Sequence, residues 1–258
     1  MSSEPRTAIV TGAGKRVGAE IARALIADGW AVLAHVHRED DCVAEGAAKV
    51  AADLCDPDCA ERIFAAAAGM PPVRLLVNNA ARFARDEFGA VKVDEFEAHM
   101  AVNVRAPLLL TEAFAAAHGK DQNGAGDALV VNLLDSKLAA PNPDFLSYTL
   151  SKYALAALTE LAARALAPRG IRVNGVAPAL MLRSAGQSEK NFAVMQRANP
   201  LRRAVEPGDV IAALRYLIAS PAVTGEVLTI DGGQRFWSLE RDVQFLSPSG
   251  GVQSVETQ

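Results

Sequence analysis

The chain has 258 residues, 26 Lys and Arg against 30 Asp and Glu, a formal net charge of −4, and half of its residues are apolar. That weakly acidic balance, without a long Lys/Arg run, argues against a nucleic-acid groove or a membrane-surface patch, both of which need concentrated positive charge. The length suits one α/β unit with a single core rather than two domains. No apolar run approaches the ~20 residues of a spanning helix, and the opening MSSEPRTAIVTG lacks the apolar stretch that secretion needs, so a cytoplasmic protein is expected. Cys42, Cys55 and Cys59 bring no His or further Cys to complete a zinc set, so reduced thiols and no metal are expected.

In chain order, short apolar runs predict buried strands at Thr7–Val10, Ala31–His35, Val50–Leu54, Leu75–Asn78, Ala128–Leu133, Arg172–Ala177 and Val227–Ile230. Apolar residues at helical spacing predict helices over Val17–Asp28, Ala60–Ala68, Phe96–His118, Tyr148–Pro168 and Pro207–Ala219. Continuous apolar strands alternating with helices are what a sheet covered on both faces requires. The expected fold is therefore a doubly wound, Rossmann-type α/β sandwich with a parallel seven-stranded sheet. Asp121–Asp127 reads as a Gly/Asn turn, and Leu180–Asn199 as a substrate-covering loop with a short helix. Residues 1–235 read as one domain and 236–258 as a polar tail, flexible or else closed over the site by Phe236 and Trp237.

Directly after the first predicted strand, TGAGKRVG runs from Thr11 to Gly18 and opens a helix. Gly12 permits the tight turn, and Gly18 lets strand and helix approach. Unpaired N–H groups at the helix start suit a pyrophosphate lined by Lys15, Arg16 and Val17. After the second strand comes His35-Val36-His37-Arg38 in place of an acidic residue. Asp or Glu would accept from a ribose 2′-hydroxyl, whereas His37 and Arg38 match a 2′-phosphate, which favours NADPH over NADH. Glu39, Asp40 and Asp41 stand just behind and dilute that positive charge. Asp53 and Leu54, and Asn79, Ala80 and Ala81, end the third and fourth strands, on the side where ligands sit in open α/β sheets. Tyr148 and Lys152 stand at i and i+4, on one helix face, where an ammonium lowers a phenol's pKa and reaches a ribose.

TGAGKRVG, NNAA, the Tyr148/Lys152 pair, RVNGVAP at Arg172–Pro178 and TGEVLTIDGG at Thr224–Gly233 together resemble the short-chain dehydrogenase/reductases, from about Thr7 to Gly233. The resemblance implies Tyr148 as proton donor, Lys152 as its partner and Asn103 as the residue holding a relay water. It also implies a cofactor contact at Pro178 and a homotetramer built through the two long helices. Most of the family carries a serine thirteen residues before the tyrosine, where this chain has Asp135. A carboxylate repels the oxyanion of a reduced ketone but suits a substrate bearing N–H groups and a proton relay to a ring nitrogen. If the loop slips by one, Ser136 restores an ordinary serine.

Asp135, Arg16 in the glycine loop and HxHR after the second strand also resemble the pteridine reductase branch, including the bacterial dihydromonapterin reductases. That likeness implies Phe83, in NNAARF, as a stacking platform for a pterin, and Arg16 as a contact to both phosphate and pterin. Ala179, followed by Leu180-Met181-Leu182, departs from the usual Gly and Thr; it removes one phosphate contact and makes the substrate loop, with Leu180, more apolar. The expected activity is NADPH-dependent reduction of a dihydropterin, with dihydrofolate as a further substrate. The alternatives are a 3-oxoacyl or sugar ketone reductase and a non-catalytic NADP-binding sensor.

Overall fold

The computed structural model describes residues 4–118, 128–183, 187–237 and 239–246. The expected turn at Asp121–Asp127, residues 184–186 of the Leu180–Asn199 segment and the tail beyond Leu246 lie outside the described residues. Among those residues, seven strands form one sheet: β1 (Thr7–Val10), β2 (Ala31–Val36), β3 (Ala48–Ala51), β4 (Val73–Asn78), β5 (Ala128–Leu133), β6 (Ile171–Pro178) and β7 (Val227–Ile230). Their order is β3-β2-β1-β4-β5-β6-β7, and every neighbouring pair is parallel. β1, β5 and β6 are buried at every position, as strands covered on both faces must be.

α1 (Arg16–Ala27) and α7 (Pro207–Ala219) cover one face. There Val10, Ile21, Leu25 and Leu214 share a core. α2 (Cys59–Ala66), α4 (Ala106–Ala117) and α5 (Leu146–Leu166) cover the other, around Ile63, Leu76, Leu110, Phe114 and Ile171. Each fully buried side chain of this kind stabilises the fold by ~1.5–3 kcal/mol, so the two apolar layers clamp the sheet between them. The chain leaves β1 toward β2 and β3, then returns to lay β4 on the other side of β1. The connections diverge there, opening a crevice beyond the carboxyl ends of β1 and β4.

Two elements differ from the sequence expectation. β3 lies earlier than Val50–Leu54, because pairing with β2 runs from Leu33↔Ala48 to Val36↔Ala51. The chain then turns at Asp53, whose Oδ1 accepts from the Cys55 N–H at 2.8 Å. The periodicity over Phe96–His118 is not one regular helix: α3 (Val93–Met100) and α4 are joined by a wider π turn at Ala101–Arg105. Such turns insert one residue without ending the helix and recur at functional sites. The short helix expected within Leu180–Asn199 is α6 (Glu189–Met195).

Candidate active site

The phosphate end is held by a small set of backbone constraints. Gly12 has φ +64°, and a Cβ on Gly18 would collide with the Gly12 carbonyl oxygen and the Asn79 amide. Both positions therefore demand glycine. Arg16, at the start of α1, has φ +54°, a left-handed conformation costing about 1–2 kcal/mol for a non-glycine residue. Asn79 acts mainly in scaffolding: its Nδ2 donates to the carbonyls of Thr11 at 2.8 Å and Gly12 at 3.2 Å. The backbone N–H groups of Asn79 and Ala80 both donate to Thr11 Oγ1 at 3.0 Å. Together these bonds tie the end of β4 to the glycine turn.

His35 supports the same turn from below. Its Nδ1 accepts from the Gly12 N–H at 3.2 Å and its Nε2 lies 3.0 Å from the Ala52 carbonyl. That pattern fits a neutral ring, and burial pushes its pKa down. His37 and Asp53 lie side by side with 4.0 Å between Nδ1 and Oδ1, both open to solvent. Arg38 is exposed, and its N–H donates to Asp41.

At the other end, α5 presents Tyr148 and Lys152, which are 7% and 3% exposed. Tyr148 Oη donates to Asp135 Oδ2 at 2.8 Å, and the Lys137 N–H donates to Asp135 Oδ1 at 2.8 Å. It is therefore Asp135, and not its neighbour Ser136, that meets the tyrosine. Burial raises the Asp135 pKa, and burial together with the Asp135 charge pushes Tyr148 well above the usual phenol value. The sequence-based expectation that Lys152 lowers the phenol is not met in this geometry. Lys152 Nζ donates to the Leu133 carbonyl at 2.6 Å, and burial brings it down to about 8.

Asn103 sits in the π turn with no exposed surface. Its Oδ1 accepts from the Arg82 N–H at 2.7 Å, and its Nδ2 donates to the Arg82 carbonyl at 3.0 Å and to Ser151 Oγ at 2.8 Å. This side chain clamps the segment after β4 to the catalytic helix. RVNGVAP has a similar scaffolding part, with Arg172 Nη1 donating to the Leu217 carbonyl at 2.9 Å and Asn174 to that of Val223 at 3.0 Å.

The substrate side is aromatic. Phe145, just before α5, has φ +56°. Its ring stacks on Phe83 at 4.3 Å between centroids and on Phe245 at 5.9 Å. Phe83 also meets Tyr148 edge-on at 4.7 Å and keeps 45% of its surface exposed. Of the tail expected to be free or closed over the site by Phe236 and Trp237, Trp237 faces the site. Phe236 stays 71% exposed. Arg241 grips Asp144 through bonds of 2.7–3.1 Å, and the Asp242 N–H adds a fourth at 2.7 Å.

The glycine turn, His37, Asp53, Phe83, Asp135, Tyr148 and Lys152 face one cavity of about 920 Å³. Every residue singled out from sequence lines it except Arg38 and Asn103. The cradle of Gly12 and Gly18, the α1 N-terminus and the volume of the cavity fit a dinucleotide together with a small molecule. Trp237, one of the two aromatics expected to close the tail over the site, also lines it, as do Lys137, Leu239, Asp242 and Val243, which were missed from sequence. Lys137 stood two residues beyond the recognised Asp135, but the others lie in a polar stretch with no motif. Among the described residues no His/Cys/Asp/Glu group is arranged to hold a metal, and no helix is long and apolar enough to cross a membrane.

Residues 12–235 match the family model described as enoyl-(acyl carrier protein) reductase. The chain is 34% identical over 254 residues to an uncharacterized oxidoreductase of Mycobacterium tuberculosis, covering 92% of this chain and 95% of that protein. It is 33% identical over 240 residues to L-xylulose reductase of Bos taurus, covering 88% and 96%. It superimposes on FolM alternative dihydrofolate reductase 1 of Brucella canis complexed with NADP, with a TM-score of 0.83, 37% identity and coverage of 89% and 94%. With the sheet order, the glycine turn and the Tyr148/Lys152 pair on the same crevice, the chain belongs to the short-chain dehydrogenase/reductase family of NAD(P)-dependent oxidoreductases.

Proposed function

We propose that this protein reduces a dihydropterin to the tetrahydropterin with NADPH, and accepts dihydrofolate as a second substrate. The observation that carries this reading is the 2.8 Å bond between Tyr148 and Asp135, in a wall where a ketone reductase needs a neutral donor. The likeness to the NADP-bound FolM alternative dihydrofolate reductase of Brucella supports it. The likeness to L-xylulose reductase supports the second reading, reduction of a sugar ketone. A carboxylate facing the developing alkoxide counts against that second reading.

When bound, the nicotinamide supplies a hydride to the ring carbon of a C=N bond. The proton for the ring nitrogen comes from water through Asp135, whose carboxylate accepts from the Tyr148 hydroxyl, so that the phenol keeps its proton. Asn103 in the π turn spends its side chain on Arg82 and Ser151 and so fixes the catalytic helix beside this relay. Phe83 offers its exposed face to the flat ring, and Arg16 and Leu180 border the same space. Lys15, Arg16 and Val17 hold the pyrophosphate, and His37 and Arg38 the 2′-phosphate. Asp53 and Leu54 meet the adenine, and Asn79, Ala80, Ala81 and Pro178 line the ribose and nicotinamide side. Lys152 contacts the ribose. Leu108, Leu150, Tyr153 and Leu161, exposed on α4 and α5, support assembly into a homotetramer through those helices.

The test is NADPH oxidation with dihydrobiopterin, dihydromonapterin or dihydrofolate, set against an acetoacetyl thioester and L-xylulose. Turnover of a dihydropterin is expected. Consumption of only the thioester or the sugar would overturn the proposal.

A further inference from the structure

The mechanism above leaves one polar feature of the cavity unused. Lys137 and Asp242 stand side by side in its wall, with 3.6 Å between Nζ and Oδ2 and side chains 9% and 19% exposed. That separation is too long for a full hydrogen bond. Asp242 Oδ1 accepts from the Gln244 N–H at 3.1 Å, which leaves Oδ2 with accepting capacity. Lys137 Nζ gives a proton to the Asp144 carbonyl and has others to offer. The pair therefore presents an acceptor and a donor next to each other, near the ring of Phe145 that backs Phe83.

Asp242 is held in place by contacts on both sides of it. Its own N–H and the Arg241 guanidinium bind Asp144, Arg85 lies 4.4 Å over the Phe245 ring, and the Leu246 carbonyl accepts from Asn191 Nδ2 at 2.7 Å. These contacts hold the stretch around Asp242 as the outer wall of the site. A ligand that satisfies this pair must be flat enough to lie on Phe83 and must carry an N–H edge beside a carbonyl. A polyol lacks the flat body, and an acyl thioester lacks the N–H edge.

We propose that Asp242 is a specificity-determining residue: its carboxylate accepts N–H groups of the substrate's 2-amino-4-oxopyrimidine edge while Lys137 donates to the adjoining carbonyl. This rests on the dihydropterin reading above and assigns the residues that recognise the end of the ring remote from hydride transfer. A carbonyl in place of the 2-amino group would set two acceptors against each other, an unpaired arrangement that a buried site rejects.

The experiment compares 6-methyl-7,8-dihydropterin with 6-methyl-7,8-dihydrolumazine, which differ in that one group, in the full-length wild type, Asp242→Asn and Asp242→Ser. NADPH binding, followed by fluorescence, reports that each variant is folded. The wild type should prefer the pterin, and the preference, as a ratio of kcat/KM values, should fall about ten- to hundredfold in Asp242→Asn, with the change mainly in KM. Equal use of both compounds by the wild type, or an unchanged ratio in both folded variants, overturns the assignment and leaves the dihydropterin reading standing. Reduction of neither compound overturns the dihydropterin reading itself.

Discussion

Replacing Asp135 with serine should move two activities in opposite directions. In the native site Tyr148 Oη lies 2.8 Å from Asp135 Oδ2. At that distance and an effective dielectric of about 20, an ionised Asp135 and a tyrosinate would repel by about 6 kcal/mol. That repulsion acts in the direction in which burial and Asp135 already push Tyr148. Serine removes the charge and leaves a neutral donor in its place. Ketone reduction, which leaves a tyrosinate behind, should rise, and its pH optimum should move toward neutrality. Dihydropterin reduction loses a member of its relay and should fall about 10²–10⁴-fold in kcat. Steady-state kcat/KM for a dihydropterin and an acetoacetyl thioester, measured across the neutral and alkaline range, reads both effects. An Asp135→Ser enzyme that reduces the dihydropterin at the native rate would refute the reasoning, because the carboxylate would then stand outside the relay.

Lys152 provides a stability test. Its folded pKa of about 8 lies below the ordinary 10.5, so the unfolded chain binds its proton more tightly and stability rises with pH between those values. Lys152→Met should lose about 3 kcal/mol of that rise in urea unfolding, and a rise equal to the native one would contradict the burial argument. Gly18→Ala, which forces a Cβ against the Gly12 carbonyl, should weaken NADPH binding about ten- to hundredfold by titration; native affinity would mean the turn adapts freely. Arg38→Ala should lower the preference for NADPH over NADH about tenfold, less than a buried contact would give because Arg38 is exposed. An unchanged preference would take Arg38 out of 2′-phosphate recognition.

The layers, the strand positions and the glycine turn were legible because they rest on local and periodic signals. β1, β4, β5, β6 and β7 fall within two residues of where their apolar runs place them. β3 is the exception: its edge position leaves Ala48 and Lys49 exposed, so hydrophobicity points too late in the chain. The π turn escaped for a related reason, since an inserted residue hardly disturbs an apolar period twenty residues long. Tyr148 and Lys152 were readable from their spacing, and Asp135 from the family resemblance. The direction of the Tyr148 pKa was not, since it depends on Asp135 Oδ2 facing the phenol while Lys152 turns to the Leu133 carbonyl.

What the sequence determined by itself was the chemistry carried by residues close together in the chain: the anion-binding turn, the His and Arg after β2, and the tyrosine and lysine one helical turn apart. What only the tertiary structure decided was the far wall of the substrate site. Asp242 reaches Lys137, and Arg241 reaches Asp144, from about a hundred residues away. No periodicity links such positions; they meet only because Asp144 is buried before α5 and its carboxylate, 3% exposed, requires a partner from elsewhere in the chain. That requirement turns a polar, motif-free stretch into part of the site.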